Sequence, residues 1–499
     1  MTFKLKSTLF IISAALILQG CNDSGNSASN APDENESAPS QGILFVANVP
    51  GYGSEFWVSV DSTANHLYPI DLFAGNGSGV STNVRPVALT SDVYLFTGKE
   101  NNDFGEELYR TDGTLAGTRM VKNIYASGNG SVPNDLTQLE EGKVVFTARS
   151  TGGDTKRSLW VTDGTESGTI PLLEDSDPKF LTPLGNGKAV FNGLFIPDPE
   201  TGFPAQGLMV TDGTVAGTKV IYSDRTSPQG LTSLNDGRAV FYFQDAKNGE
   251  WGPWITDGTS EGTYRVKAIR DDYNREGVNA QFTKISDDLI LFRAQTPDEG
   301  NELWATDGTE TGTYMVKDIR PGNESSSPFR ITAIGDGNAI FWANDGTHGQ
   351  EPWVSDGTAD GTVLLKDIRS GASSSSSGNQ QMFFALEDHV YFAADDGNSG
   401  RELWVTDGTT MNTQLVKDLN PGPGDGGRLN NHAPVPRFAL PDGRLLFSGN
   451  DRTGIGYALW VTDGTDEGTE LFYNLEAQST ASGSVSFPGN IFLPITIEP

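Results

Sequence analysis

From residue 42 to about residue 475 the chain alternates short apolar runs with clusters of Gly, Asp, Asn, Ser and Pro, and nothing between the runs reads as helical. The pattern repeats. ELWATDGTETGTYMVKDI at 302–319 returns as ELWVTDGTTMNTQLVKDL at 402–419. Aligning each copy on the aspartate of its DGT element gives Asp112, Asp163, Asp212, Asp257, Asp307, Asp356, Asp407 and Asp463, which lie 45 to 56 residues apart. A worn ninth copy, EFWVSVDST, sits one step upstream and places Asp61 there. A period of this length marks a repeat-built fold.

Every module carries two hairpin signatures. FRITAI (329–334) faces NAIFWAND (338–345) across Gly335-Asp336-Gly337, and Asn186-Gly187, Asp236-Gly237 and Asp442-Gly443 stand at equivalent places. Such dipeptides supply the positive φ that tight hairpin turns require. The second hairpin pairs EPWVSDG (351–357) with TVLLKDI (362–368), the DGTxxGT element being its turn. Four antiparallel strands per module predict a β-propeller blade, and the Gly-, Ser- and Pro-rich link RPGNESSSP (320–328) suits a crossover from an outer strand to the next inner one.

The chain ends bear on closure. ILFVANV, EFWVSVD and HLYPIDL (43–72) supply second, third and fourth strands without a first, while VSFPGNIFLPITI (485–497) is left over at the other end. The expected fold is therefore all-β, a propeller of nine four-stranded antiparallel blades closed by pairing of the two termini. Eight blades with a decorated end, or an open solenoid, are the alternatives. The 60 Gly and 26 Pro fit a protein this dense in turns.

Within the motif, an aspartate ending a strand can accept N–H groups of the turn that follows, Gly can take positive φ and Thr hydroxyls can cap the loop. The eight aligned aspartates are accordingly expected to be structural turn residues. Asn412 stands where other copies have their second Gly, as the non-Gly residue that best tolerates positive φ. Trp57, Trp160, Trp254, Trp304, Trp353, Trp404 and Trp460 occupy one motif position, shared with Tyr109 and Met209, and are expected as rings wedged between blades. Trp251 and Trp342 lie outside it and are the better candidates for ligand contact.

These copies resemble the bacterial ELWxxDGT repeat proteins, also described as hyalin-like. The likeness covers nearly all of the chain beyond its amino-terminal segment. It is most specific in Glu302-Leu303-Trp304, Asp307-Gly308-Thr309, Gly312-Thr313 and Lys317-Asp318-Ile319, and drifts in copies such as GLMVTDGTVAGTKVIYSD (207–224). The resemblance implies an exported β-rich protein and transfers no catalytic residue.

Export is also read from the first twenty-one residues, MTFKLKSTLFIISAALILQGC. Lys4 and Lys6 precede an apolar run too short to span a bilayer, and Leu18-Gln19-Gly20-Cys21 resembles a bacterial lipobox. The resemblance implies cleavage before Cys21 and its acylation; Asn22, in place of an aspartate, favours the outer membrane. The chain divides into a lipoprotein signal peptide (1–20), the lipidated Cys21 with a polar tether to residue 41, and one repeat-built domain (42–499). With Cys21 the single cysteine, no disulfide forms within the chain. A net charge of −31 opposes nucleic acid and anionic membrane surfaces, leaving the lipid as the expected membrane contact and a monomer as the expected state.

Candidate chemistry is sparse. The loops NNDFGEE (101–107), NDGTHGQE (344–351) and DDGNSGRE (395–402) gather Asp, Asn and Glu oxygens of the kind that bind calcium, though none has EF-hand spacing and such clusters are first of all turn formers. No GxSxG, HExxH or phosphate-loop motif occurs, and His66, His348, His389 and His432 fall in different modules. No catalytic residue and no cofactor is assigned. The expectation is a cell-envelope scaffold, periplasmic or outward-facing, that binds a glycan or an envelope protein. A polysaccharide hydrolase or lyase built on a propeller is the alternative.

Overall fold

The computed structural model describes residues 42–495 apart from 50–51, 60–66, 76, 82–84, 126–129, 151–155, 196–204, 224–227, 246–248, 250, 270–280, 377–381, 420–433, 440–442, 451–456 and 475–491. The signal segment, Cys21, the tether, Asp61, His66, His432 and Asp442 lie outside the described residues.

Among the described residues thirty-six strands form nine four-stranded antiparallel sheets, and eight of these run in chain order from first to fourth strand. The seventh sheet is representative: Phe329–Gly335, Asn338–Asn344, Gln350–Ser355 and Val363–Leu364. The sheet at the amino end is different. Its Leu67–Ile70, Gly53–Ser59 and Gly42–Val49 are completed by the carboxy-terminal strand Phe492–Ile495, with Phe45 opposite Phe492 and Gly42 opposite Ile495. The two termini thus share one sheet, and with nine sheets the blade count is nine and not eight. The fold is a nine-bladed β-propeller.

The middle strands are apolar on both faces because each sheet is covered by its neighbours. Eight successive interfaces each bury one cluster drawn from two consecutive sheets. Leu291, Leu303 and Val316 of the sixth, for example, meet Ala339, Phe341 and Trp353 of the seventh. In all nine sheets a second-strand Phe stands directly across the ladder from the motif aromatic or its substitute, as in Phe292 opposite Trp304, Phe96 opposite Tyr109 and Phe191 opposite Met209. Cross-strand aromatic pairs of this kind contribute roughly 0.2–1 kcal/mol each beyond the area they bury. The seven motif tryptophans are all at least nine-tenths buried. Trp342 is fully buried and stacks on Phe383, which removes it as a ligand contact, and Trp251 is half-buried and stacked on Tyr242.

The DGTxxGT turns show why each of their residues is needed. In all eight copies the aspartate Oδ1 accepts the N–H of the Thr two residues on at 2.7–2.9 Å and the hydroxyl of the same Thr at 2.6–2.7 Å. The first Gly takes positive φ, 87° at Gly308. The second does not. It leaves room for the carboxylate: a Cβ at Gly312 would lie 2.1 Å from that of Asp307 unless the aspartate shifts. Asn412 is therefore not a positive-φ substitute: it stands in ordinary backbone, and its side-chain amide donates to Asp407 Oδ2 at 2.6 Å.

Lysines in or just past the fourth strands tie neighbouring sheets together. Lys122, Lys267, Lys317, Lys366 and Lys417 donate to the carbonyls of Thr169, Thr313, Thr362, Thr413 and Thr469, in each case the last Thr of the next sheet's DGTxxGT turn. Among the described residues no helix is long and apolar enough to cross a membrane.

Candidate ligand cavity on the inner strands

The aligned aspartates, Asp112 through Asp463, are not brought together. Each lies in the exposed turn between third and fourth strands of its own sheet, with its oxygens engaged by that turn. The oxygen-rich loops are likewise committed to themselves. Asp395 and Asp396 accept N–H groups of Gly397, Asn398 and Ser399, and Arg369 Nη1 binds Asp395 Oδ2 at 2.8 Å. Asp345 accepts the N–H of Thr347 and His348, and its Oδ2 meets His348 Nδ1 at 2.7 Å, which raises that imidazole's pKa. Asn101 Oδ1 accepts from Asp103 and Phe104. His389 is exposed on a hairpin turn beside Asp388.

The motif glutamate, by contrast, works inside the fold. Glu55, Glu107, Glu302, Glu351 and Glu402 are buried. Glu302 accepts the N–H groups of Ile319 and Ser326 at 3.0 and 2.8 Å and the Ser326 hydroxyl at 2.5 Å, gathering the crossover that leads to the next sheet. Glu351 does the same with Ile368, Arg369 and Ser375, and Glu107 with Ile124, Tyr125 and Ser131. Burial pushes the carboxyls of Glu55, Glu302 and Glu351 up to about 7 against the pull of these donors. In these sheets the latch holds the crossover that leads to the next first strand, whereas Ser158, Gly207, Gly252 and Ala458 stand in the glutamate's place in the other four.

First strands of neighbouring sheets approach one another from the second sheet to the fifth and from the sixth to the eighth. In four of them the same bulge interrupts pairing. Asn134 and Thr137 face Thr147 and Val145, so three steps on one strand match two on the other, and Lys179/Thr182, Gln229/Thr232 and Phe329/Thr332 repeat it. The extra residue takes positive φ: 52° at Asp135, 61° at Phe180, 64° at Gly230 and 57° at Arg330. The Thr two residues later donates its hydroxyl to that residue's carbonyl in all four sheets, at 2.8–3.1 Å. NDLT, KFLT, QGLT and FRIT are thus one device holding four different side chains, a signal present in the sequence but masked by the louder DGT repeat.

An open cavity of about 800 Å³ spans the inner strands of the second, third and fourth sheets. Arg85 and Glu106 come from the second, Asp135 and Leu136 from the third, and Lys179 and Phe180 from the fourth. Behind it Arg157 fixes the wall, donating through Nη2 to the carbonyls of Val132 and Thr147 and through Nε to Thr147 Oγ1. Val132, a β-branched residue at φ 48°, lines it too. Strained backbone of this kind persists only where its surroundings over-determine it and gathers at binding sites. The ring of Phe180 is 52 % exposed. Mixed charge, an exposed aromatic and a rigid floor suit reversible binding of a small or extended ligand.

No family model matches the sequence, and no curated protein matches it. Solved structures do. A puromycin hydrolase is similar at 14 % identity and a TM-score of 0.38, over 83 % of this chain and 58 % of that one. Prolyl oligopeptidase B from Galerina marginata is similar at 12 % and 0.39, over 76 % and 55 %. The β-propeller domain of the Trilobed protease from Pyrococcus furiosus is similar at 11 % and 0.32, over 68 % and 98 %. The chain spans little more than half the length of the first two, and identities this low bear on no residue of the cavity.

Proposed function

We propose that this protein is a lipid-anchored propeller of the cell envelope that binds a surface glycan or an envelope protein in the cavity over its second to fourth sheets. The observation that carries the reading is the inner-strand bulge: its backbone and its Thr are repeated, whereas its extra residue changes from Asp135 to Phe180 to Gly230 to Arg330. Only two of these, Asp135 and Phe180, are exposed and line the cavity, and a scaffold position kept in shape and varied in chemistry is where one-sided recognition belongs. Cys21 supplies the anchor, and residues 22–41 the tether that holds the ring away from the membrane.

The test is a glycan array and an envelope pull-down with residues 22–499, run beside the Asp135→Ala variant. The reading requires a ligand whose retention falls in the variant at unchanged thermal stability. Retention unaffected by Asp135 would place binding elsewhere, and release of shorter sugars from any bound polymer would replace the binder with a hydrolase or lyase. For the anchor, Cys21→Ser is expected to shift the protein from the membrane to the soluble fraction; an unchanged distribution would remove the lipid from the account.

A further inference from the structure

Phe180 is the unusual member of the bulge series. Gly230 shows that the position works without a side chain, and a Cβ at positive φ is strained. A large ring is nevertheless held there, half in solvent, beside a concave wall. Two other exposed aromatics among the described residues have structural work: the hydroxyls of Tyr264 and Tyr314 donate to the carbonyls of Gly308 and Gly357 in the next sheet. The exposed Leu115, Val215 and Met411 sit singly on outer turns.

Around Phe180 the cavity is lined by Arg85 and Lys179 against Glu106 and Asp135, with Lys179 Nζ also paired to Asp177 Oδ2 at 3.0 Å, so it holds no surplus of cations, and the chain as a whole carries −31. A polyanion would meet a repulsive field without a surplus of local cations to hold it. An added peptide strand would meet an inner edge already broken by a bulge, which interrupts the ladder it would need. A sugar meets neither obstacle. Its C–H face covers an aromatic ring, and each hydroxyl both donates to a carboxylate and accepts from a guanidinium or ammonium group.

We infer that the cavity takes a neutral oligosaccharide, with one pyranose ring laid on Phe180 and its hydroxyls shared among the lining residues Asp135, Glu106, Arg85 and Lys179. This rests on the cavity being the binding site proposed above. The experiment is calorimetry on residues 22–499 with neutral hexasaccharides of glucose, mannose and galactose, an oligogalacturonate of equal length and a ten-residue peptide. At least one neutral sugar is expected to bind with an affinity that changes less than twofold between low and physiological salt. Phe180→Gly, which the fifth sheet already carries as Gly230, is expected to weaken it at least tenfold without lowering the melting temperature, and Phe180→Trp to keep it within threefold. Binding of the galacturonate or the peptide in preference, lost in Phe180→Gly, overturns the neutral-sugar assignment and leaves the cavity standing. Binding of any probe that survives both Phe180→Gly and Asp135→Ala overturns the cavity as well.

Discussion

At the scale of single residues the motif divides into groups with separable work. The DGT aspartates hold their own turns, the glutamates hold the crossovers, and the second Gly makes room for a carboxylate. Gly312→Ala drives a methyl into Asp307 and is expected to cost about 1–3 kcal/mol by urea denaturation. Gly312→Asn is expected to cost less, because an amide there can donate to the carboxylate as Asn412 does. Buried glutamates also set a pH dependence. With the carboxyls of Glu55, Glu302 and Glu351 raised from about 4.5 unfolded to about 7 folded, the native state binds more protons than the unfolded chain across that window. Stability therefore falls as pH rises from 5 to 7, by at most roughly 1.4 kcal/mol per unit for each carboxyl. Below this window the sign reverses, since Thr hydroxyls hold Asp163, Asp212, Asp257 and Asp463 low and that stabilisation is lost as they protonate. Denaturant midpoints between pH 4 and 8 should peak near 5, and Glu302→Gln should flatten the descending limb; a midpoint rising steadily to pH 8 would contradict the assignment.

Strands and hairpins were legible because their signals are local. Turn dipeptides, alternation and the DGT spacing are read within a few residues, and the leftover tail at 485–497 was enough to expect the terminal pairing now seen between Phe492–Ile495 and Gly42–Val49. What escaped was non-local. The Phe opposite each motif aromatic, the lysine reaching a Thr carbonyl one sheet away and the bulge closed by Thr137, Thr182, Thr232 and Thr332 depend on partners that become neighbours only in the fold. Lys317→Met keeps the stem and removes the bond to Thr362, and is expected to lower stability by about 1–2 kcal/mol. Phe341→Ala leaves a hole against Ala343 and Trp353, at a cost of about 3–5 kcal/mol. Both are read from equilibrium urea unfolding, and equal costs for the two would contradict the division between tie and core.

At the scale of the molecule, pairing of the termini completes the sheet at the amino end. Deleting residues 492–499 exposes the edge of Gly42–Val49, and is expected to lower the melting temperature and produce association that grows with protein concentration in light scattering. Repetition also explains why the ring was easier to read than its ligand. Nine sheets state the scaffold nine times, whereas a ligand site is stated once, in the residues that break the pattern. On the function proposed above, recognition lies at the inner-strand bulges. The most direct measurement is ligand binding by residues 22–499 carrying Asp135→Ala with Phe180→Gly, beside an outer-turn control carrying Leu115→Ala with Met411→Ala. Loss of binding in the inner pair and retention in the outer pair, with both proteins folded, is the predicted result. Retention in the inner pair with loss in the outer would contradict it.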